Sequence, residues 1–152
     1  MIKKLEFSMP MVFQLNNIEK VCFGRDAWSI NNLISEFNNE YSHFFGEVVD
    51  DKIVGYVCVR TMYEEAQICN IAVLPDYRRQ GIASRLLNAV EEFSATQDCE
   101  RSELEVNTSN TPAVELYKKC GYEIAGTRVN FYRRTRYATR DAYTMTKSLM
   151  RS

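Results

Sequence analysis

Apolar residues recur along this chain with two different periods, and the changes from one to the other divide it into elements. In "MVFQLNNIEKVCF", residues 11–23, Val12, Leu15, Ile18, Val21 and Cys22 fall on one helical stripe. "DAWSINNLISEFNN", residues 26–39, predicts a second helix with Ile30, Leu33, Ile34 and Phe37 on one face. A short strand is expected ahead of both, near residues 3–8. Three strand-like runs follow: "SHFFGEVVD" (42–50), "KIVGYVCVRTM" (52–62) and "AQICNIAVL" (66–74), with Asp50 and Asp51 as the turn between the first two. Three such runs in succession predict an antiparallel meander.

Leu74, Pro75 and Asp76 end the third run. From Ile82 onward Leu86, Leu87, Val90 and Phe93 return to the 3.6-residue period, with Arg85, Glu91 and Glu92 pointing away. "SELEVNT" (102–108) reads as a strand. "SNTPAVELYKKC" (109–120) reads as a helix capped at Ser109 or Asn110, with Pro112 in its first turn and Gly121 as its stop. "YEIAGTRVNFY" (122–132) and "DAYTMTKSL" (141–149) close the chain as two strands. The order predicts an α+β domain whose mixed, mainly antiparallel sheet of about six to seven strands carries helices on both faces. With no repeat, low-complexity tract or Gly/Ser/Pro-rich linker, residues 1–152 are expected to form a single domain.

Composition narrows the reading further. The 152 residues are 45% hydrophobic and 12% aromatic, enough for one sizeable core, and the 26% charged residues nearly balance, leaving a net charge of -1. "MIKKLEFSMP" has a basic start but no apolar core after it, and no run approaches the roughly 18 apolar residues of a membrane span. A cytoplasmic protein with no membrane partner is expected. Cys22, Cys58, Cys69, Cys99 and Cys120 are scattered without a CxxC pair, so neither a disulfide framework nor a zinc site is expected. His43 is the only histidine and lies in the strand-like "YSHFF", which leaves little room for a Ser–His or Cys–His catalytic pair.

"YRRQGIAS", residues 77–84, is the stretch that calls for a chemical explanation. The first amides of a helix lack internal partners and the helix dipole adds about half a positive charge there, so this end attracts anions. A phosphate whose oxygens reach several successive amides needs a residue without Cβ at the closest approach and small neighbours beyond. Gly81, Ala83 and Ser84 meet that need, and Arg78, Arg79 and Gln80 add charge and donors. On spacing alone, a phosphate site and an ordinary strand-to-helix turn stand side by side. The spacing is neither that of Walker A, because no GK[ST] follows, nor the dinucleotide GxGxxG.

In wider context, "NIAVLPDYRRQGIASRLL" resembles the acyl-coenzyme A signature of the GCN5-related N-acetyltransferase (GNAT) superfamily, [Q/R]-x-x-G-x-[G/A], met here by Arg78, Gly81 and Ala83. "LEVNTSNTPAVELYKKCGY" resembles the second half of the same fold. More narrowly, "DAWS", "NIAV", "LEV", "SN", "LYKKCGY" and "RVNFYRR" together resemble the RimI branch, which acetylates protein N-termini, typically the N-terminal alanine of a small-subunit ribosomal protein. The likeness covers roughly residues 26–147. It departs from the branch pattern at Ala27, where proline is usual, and at Phe131, where tyrosine is usual.

The resemblance implies acetyl-coenzyme A (acetyl-CoA) as acetyl donor, no metal, and a protein N-terminus as acceptor. It implies that main-chain groups of Ile71, Ala72 and Val73 pair with the pantetheine arm like an added strand, the Val73 amide polarising the thioester carbonyl. Amides of Arg79, Gln80, Gly81, Ile82, Ala83 and Ser84, with Arg78 alongside, would hold the diphosphate, and the Asn110 side chain would touch the pantetheine. Glu105 would be the general base and Tyr117 the general acid for the departing thiolate. The chemistry is consistent with an N-terminal acceptor. An α-amine with pKa of about 7.7–8.0 is roughly a tenth neutral at pH 7, whereas a lysine near 10.4 needs about 4.6 kcal/mol to deprotonate.

Other readings of these residues remain. Glu103 and Glu105 share one strand face, so Glu105 could be a solvent-facing residue of an edge strand; Tyr117 could be a core or rim residue of its helix. Trp28 and Ser29 could shape the acceptor pocket or merely anchor the core. Cys120, one turn from Tyr117, has no histidine placed to activate it as an acyl carrier. Lys118 and Lys119 could meet the adenosine 3′-phosphate or form a solvated face. Two alternatives to the N-terminal acceptor are carried: an acetyltransferase acting on a small amine or a lysine, and a non-enzymatic RNA- or ribosome-associated module. The latter would use Arg128, Arg133, Arg134, Arg136 and Arg140 interleaved with Phe131, Tyr132 and Tyr137. The acidic balance of the whole chain argues against direct nucleic-acid binding.

Overall fold

The computed structural model describes residues 1–150 and places seven strands in one sheet, in the order β1-β2-β3-β4-β5-β7-β6. In chain order the elements are β1 (Ile2–Leu5), α1 (Met9–Phe23), α2 (Ile30–Phe37), β2 (Ser42–Val49), β3 (Lys52–Met62), β4 (Glu65–Val73), α3 (Ile82–Thr96), β5 (Arg101–Asn107), α4 (Thr111–Lys119), β6 (Glu123–Arg128) and β7 (Ala142–Ser148). Short 3-10 turns at Gly24–Asp26 and Pro75–Tyr77 lead into α2 and α3. Only the β4–β5 pair is parallel among these strands, with α3 as its crossover; the others pair antiparallel, as the meander expectation required. Asp50 and Asp51, both at positive φ, make the tight β2–β3 turn.

Strand alternation gives the sheet two apolar faces, each covered by a helix pair. Val12, Leu15, Ile18 and Leu33 of α1 and α2 pack on Phe44, Tyr56, Cys58 and Ala72. On the opposite face Leu86, Leu87, Val90, Val114 and Tyr117 of α3 and α4 meet Val57, Val59, Ile68, Leu104 and Met145. Each fully buried leucine here is worth about 1.5–3 kcal/mol, which is why α3 docks where its periodic stripe points.

Three local departures from the sequence expectation have physical causes. Helix α2 begins at Ile30 rather than near Asp26, because Ser29 accepts from the Asn32 amide at 3.0 Å while Asn32 Oδ1 accepts from the Ser29 amide at 3.1 Å. Strand β6 ends at Arg128; Asn130 at φ 54 turns the chain out, and Tyr132 bonds back to the Arg140 carbonyl at 3.1 Å. Val21 is exposed, whereas Glu19 on the same helix is fully buried.

The feature that positions the site lies between β4 and β5. Their pairing covers only Glu65–Ile68 against Arg101–Leu104, although β4 runs to Val73 and β5 to Asn107. At the same place the β3–β4 register steps from Cys58↔Asn70 to Val59↔Ile68, leaving Cys69 as an extra residue in β4. Such a bulge bends its strand and increases the local twist, and here the two parallel strands part beyond it.

Candidate active site

The parted strands open into a cavity of about 770 Å³. Its walls bring together Ile71, Ala72 and Val73 of β4, Arg78, Arg79, Gly81, Ile82, Ala83 and Ser84 around the start of α3, and Asn110 and Tyr117 of the α4 segment. Of the residues expected at a donor site, Gln80 and Glu105 do not line it.

The β4 wall is polar where it faces the gap. The Leu74 amide donates to the Val54 carbonyl at 2.9 Å, so by the period-two alternation Ala72 turns its main chain to Tyr56 of β3. Ile71 and Val73 turn theirs to the gap. Ala72 therefore contributes a small side chain rather than main-chain bonds. The Ile71 amide meets Asn70 Oδ1 at 3.1 Å, and the Val73 carbonyl accepts from Arg78 Nε at 2.9 Å and from the Cys22 thiol at 3.4 Å. The Arg78 guanidinium is thus turned to the strand end and braces it.

At the other end of the cavity Arg79 and Gly81 both sit at positive φ, 64° and 77°. For Gly81 this geometry costs little; for Arg79 it costs about 1–2 kcal/mol, a strain the local turn imposes. Among the described residues no side chain caps α3 and no acidic residue lies in its first turn. Arg85 holds the Gln80 carbonyl at 2.9 Å, and its amide bonds to the Gly81 carbonyl at 3.0 Å. The opening amides of α3 therefore have no side-chain partner among the described residues. Gly55 of β3 permits the close approach: a Cβ there would lie 3.1 Å from the Ala72 carbonyl oxygen and 3.3 Å from Ile82 Cγ2.

Asn110 caps α4 through the Ala113 amide at 3.4 Å. Two turns on, Tyr117 is 7% exposed and its ring meets Tyr122 edge-on at 6.1 Å. Burial pushes its phenol well above the usual tyrosine range, with Tyr122 and Tyr132 adding to the effect. It is therefore a hydroxyl that keeps its proton near neutrality.

Glu105 lies on the sheet face that carries α1 and α2, and β5 is an interior strand between β4 and β7, not an edge. Gln67 Nε2 donates to Glu105 Oε1 at 3.3 Å; Oε2 is buried with no partner among the described residues. Glu103, on the same face, has its carboxyl pushed up to about 7 by burial and by Glu65 beside it. Tyr132, from the β6–β7 connection, has its phenol pushed up to about 12 by burial and by Glu105. That connection also folds over α1. The Arg136 amide donates to Asp26 Oδ2 and its guanidinium to the Cys22 carbonyl, each at 2.9 Å, and the guanidinium lies over the Phe23 and Tyr137 rings. With Arg140 donating to the Tyr132 carbonyl at 2.7 Å and the Arg128 guanidinium over the Phe131 ring at 5.6 Å, three of the five arginines of this segment are engaged within the chain.

Sequence spacing missed one cluster. Glu36, Cys58 and Cys69 bring ligand atoms within 4.8 Å of one another. Arg60 already binds Glu36 through two bonds, at 2.7 and 2.6 Å, and Ser42 bonds it as well, so the carboxylate is matched without an ion. His43 is half-buried against Phe93, away from the cavity. Lys119 lines the cavity, whereas Lys118 faces Glu115 at 3.9 Å. Among the described residues no helix is long and apolar enough to cross a membrane.

Comparison with known proteins gives this geometry a family context. The family model described as acetyltransferase (GNAT) family matches residues 11–122. A Bacillus subtilis protein provisionally named ribosomal protein bS18-alanine N-acetyltransferase is 36% identical over 106 residues, 69% of this chain and 70% of its own. The crystal structure of the ribosomal-protein-S18-alanine N-acetyltransferase from Escherichia coli superposes with a TM-score of 0.86 at 26% identity, covering 100% of this chain and 96% of that one. An aminoglycoside 6'-acetyltransferase type Ii superposes with a TM-score of 0.85 at 18% identity, covering 100% and 99%, and shares the fold alone.

Proposed function

The chain belongs to the acetyltransferase (GNAT) family and is an acetyltransferase; from that premise we propose that, as one domain over residues 1–152, it acetylates the N-terminal α-amine of a cytoplasmic protein. An N-terminal alanine of a ribosomal protein is the acceptor that the named relatives favour. The observation that carries the reading is the parting of β4 and β5 beyond Ile68 and Leu104, which opens one cavity from the amides of α3 to Tyr117.

GNAT acetyltransferases use acetyl-CoA, which supplies an acetyl group activated as a thioester. The residues present fit it. Unpartnered amides at the start of α3, with Arg79 and Lys119 on the same cavity, suit a diphosphate. Main-chain groups of Ile71 and Val73, on the part of β4 that β5 does not pair, suit an extended amide-bearing arm. The Val73 amide then donates to the thioester oxygen as negative charge develops there.

As the amine nitrogen forms its bond to the acetyl carbon and the carbon–sulfur bond breaks, the surplus amine proton goes to Glu105, directly or through a water. The orphaned Glu105 Oε2 supports this role, because a buried carboxylate oxygen without a donor is costly and an amine or water would satisfy it. Tyr117 hydrogen-bonds the departing sulfur. With its phenol held above the thiol range near 8.5, it stabilises the thiolate rather than surrendering its proton outright.

The test is acetyl transfer to peptides differing in their first residue, with polyamines and aminoglycosides as competing acceptors. Glu105→Gln and Tyr117→Phe are expected to lower kcat by about a hundredfold to ten-thousandfold, leaving acetyl-CoA affinity nearly unchanged. Loss of affinity matching the loss of turnover in both would refute the two assignments, and preference for a small amine would overturn the acceptor.

A further inference from the structure

A carboxyl group on the buried side of a helix must be met by donors, since burial without them costs several kcal/mol. Glu19 of α1 is 0% exposed. Its Oε1 accepts from the Tyr56 phenol on β3 and the Asn70 carboxamide on β4, and its Oε2 from the Trp28 main-chain amide at 3.4 Å. Asn70 Nδ2 also lies 3.3 Å from the Tyr56 hydroxyl. One of these contacts leads directly to a wall of the cavity, and another to the loop that precedes α2. Asn70 uses its other end, Oδ1, to hold the gap-facing Ile71 amide at 3.1 Å. Trp28 is gripped a second time by α1, where Asn16 Nδ2 donates to its carbonyl at 3.1 Å, just before Ser29 caps α2.

We propose that the Trp28 loop forms the acceptor-side wall and that Glu19 is a positioning residue that ties this loop to the Ile71 amide of the donor channel through Asn70. The inference rests on the acetyl-transfer reading above. A carboxylate offers about four lone-pair sites, enough for all three donors at once. No side chain with a single acceptor atom meets both Asn70 and Trp28. If the carboxyl is removed, the carboxamide loses the bond that fixes its rotation, and the Ile71 amide is released from its present orientation. The Trp28 amide is left unpaired at the same time, so both walls respond to one change.

Burial holds the Glu19 carboxyl up at about 7, against the lowering effect of the Tyr56 and Trp28 bonds. The titratable groups facing it are Tyr56 from β3 and Cys22 from its own helix. Arg78 and Arg136 act on Cys22 from the α3 loop and the β6–β7 connection. Both neighbours keep their protons near neutrality, because burial pushes each of them up.

Glu19→Gln preserves volume and one acceptor while turning the other into a donor, and Asn70→Ala removes the intermediary. With acetyl-CoA and the best acceptor peptide as probes, KM for each, kcat and Tm are read for the single and double variants. Glu19→Gln is expected to raise both KM values about fivefold to twentyfold, the scale of one or two misdirected hydrogen bonds, with kcat within about threefold. Asn70→Ala should raise the acetyl-CoA KM to a similar degree without moving the peptide KM. The double variant should show no further rise in the acetyl-CoA KM, because both changes cut one chain of contacts. Unchanged KM values in Glu19→Gln, or multiplied effects on the acetyl-CoA KM in the double variant, overturn the inference, whatever happens to Tm. Absence of turnover in the wild type instead removes the acetyl-transfer reading on which it rests.

Discussion

At the start of α2 the chain meets its own polar groups: Ser29 and Asn32 cap reciprocally, Glu19 takes the Trp28 amide and Asn16 supports the Trp28 carbonyl. At the start of α3 it does not. Gly81 brings no capping side chain, the first turn holds no acid, and Arg79 and Gly81 are both turned into the left-handed region. The contrast is not one of stability, since an Asn, Asp or Ser in place of Gly81 would contribute only about a few tenths of a kcal/mol. Orphan donors beside a large cavity are the arrangement that an anionic ligand completes, whereas orphan donors buried in a core would only destabilise.

Substitution at the open end should have the largest effect. Gly81→Val puts a β-branched side chain where φ is 77° and fills the approach to the amides. With two or three charge-assisted bonds at stake, acetyl-CoA affinity measured by calorimetry should fall about a thousandfold. Affinity within threefold of wild type would show that the start of α3 is an ordinary turn.

The closed end should reveal itself through pH. A carboxyl held near 7 when folded but near 4.5 when unfolded binds more protons in the folded state over that interval, so its contribution to stability falls as pH rises from 4.5 to 7. Urea unfolding should show about 3 kcal/mol of such loss in the wild type, and a flatter profile in Glu19→Gln. Parallel profiles would mean that Glu19 is not held as its contacts indicate.

Ser29→Ala gives the smallest effect and the sharpest control. Loss of the α2 cap should lower stability by about 1 kcal/mol, roughly 3 °C in Tm, and leave acetyl-CoA affinity unchanged. A drop in affinity equal to that of a substitution at α3 would erase the distinction between the two helix starts.

The two ends also differ in how much of them could be read from the sequence. The start of α3 is legible because its cause is local: Leu74-Pro75 ends a strand, Gly81 permits the turn, and Leu86, Leu87 and Val90 set the helix face. The meander, the mixed sheet and the Asn110 cap are legible for the same reason. Glu19 is not. It lies between apolar positions of a periodic helix, and its partners Tyr56 and Asn70 are 37 and 51 residues away, so nothing nearby marks it as buried. The Cys69 bulge has no local signature either; it arises where β4 must pair with β3 yet leave β5. Gly55 looks like any strand glycine until Ile82 arrives against it. The expected donor wall of Ile71, Ala72 and Val73 needed the register to show that Ala72 turns its main chain the other way.

On the proposed function, the uncapped start of α3 and the gap-facing amides of β4 together receive acetyl-CoA. Titration of isotope-labelled protein with acetyl-CoA, followed amide by amide, addresses it directly. The largest shifts are expected on Ile71, Val73 and Gly81 through Ser84, while the capped start of α1 at Ser8 stays still. Shifts centred elsewhere, or none at saturating ligand, would contradict it.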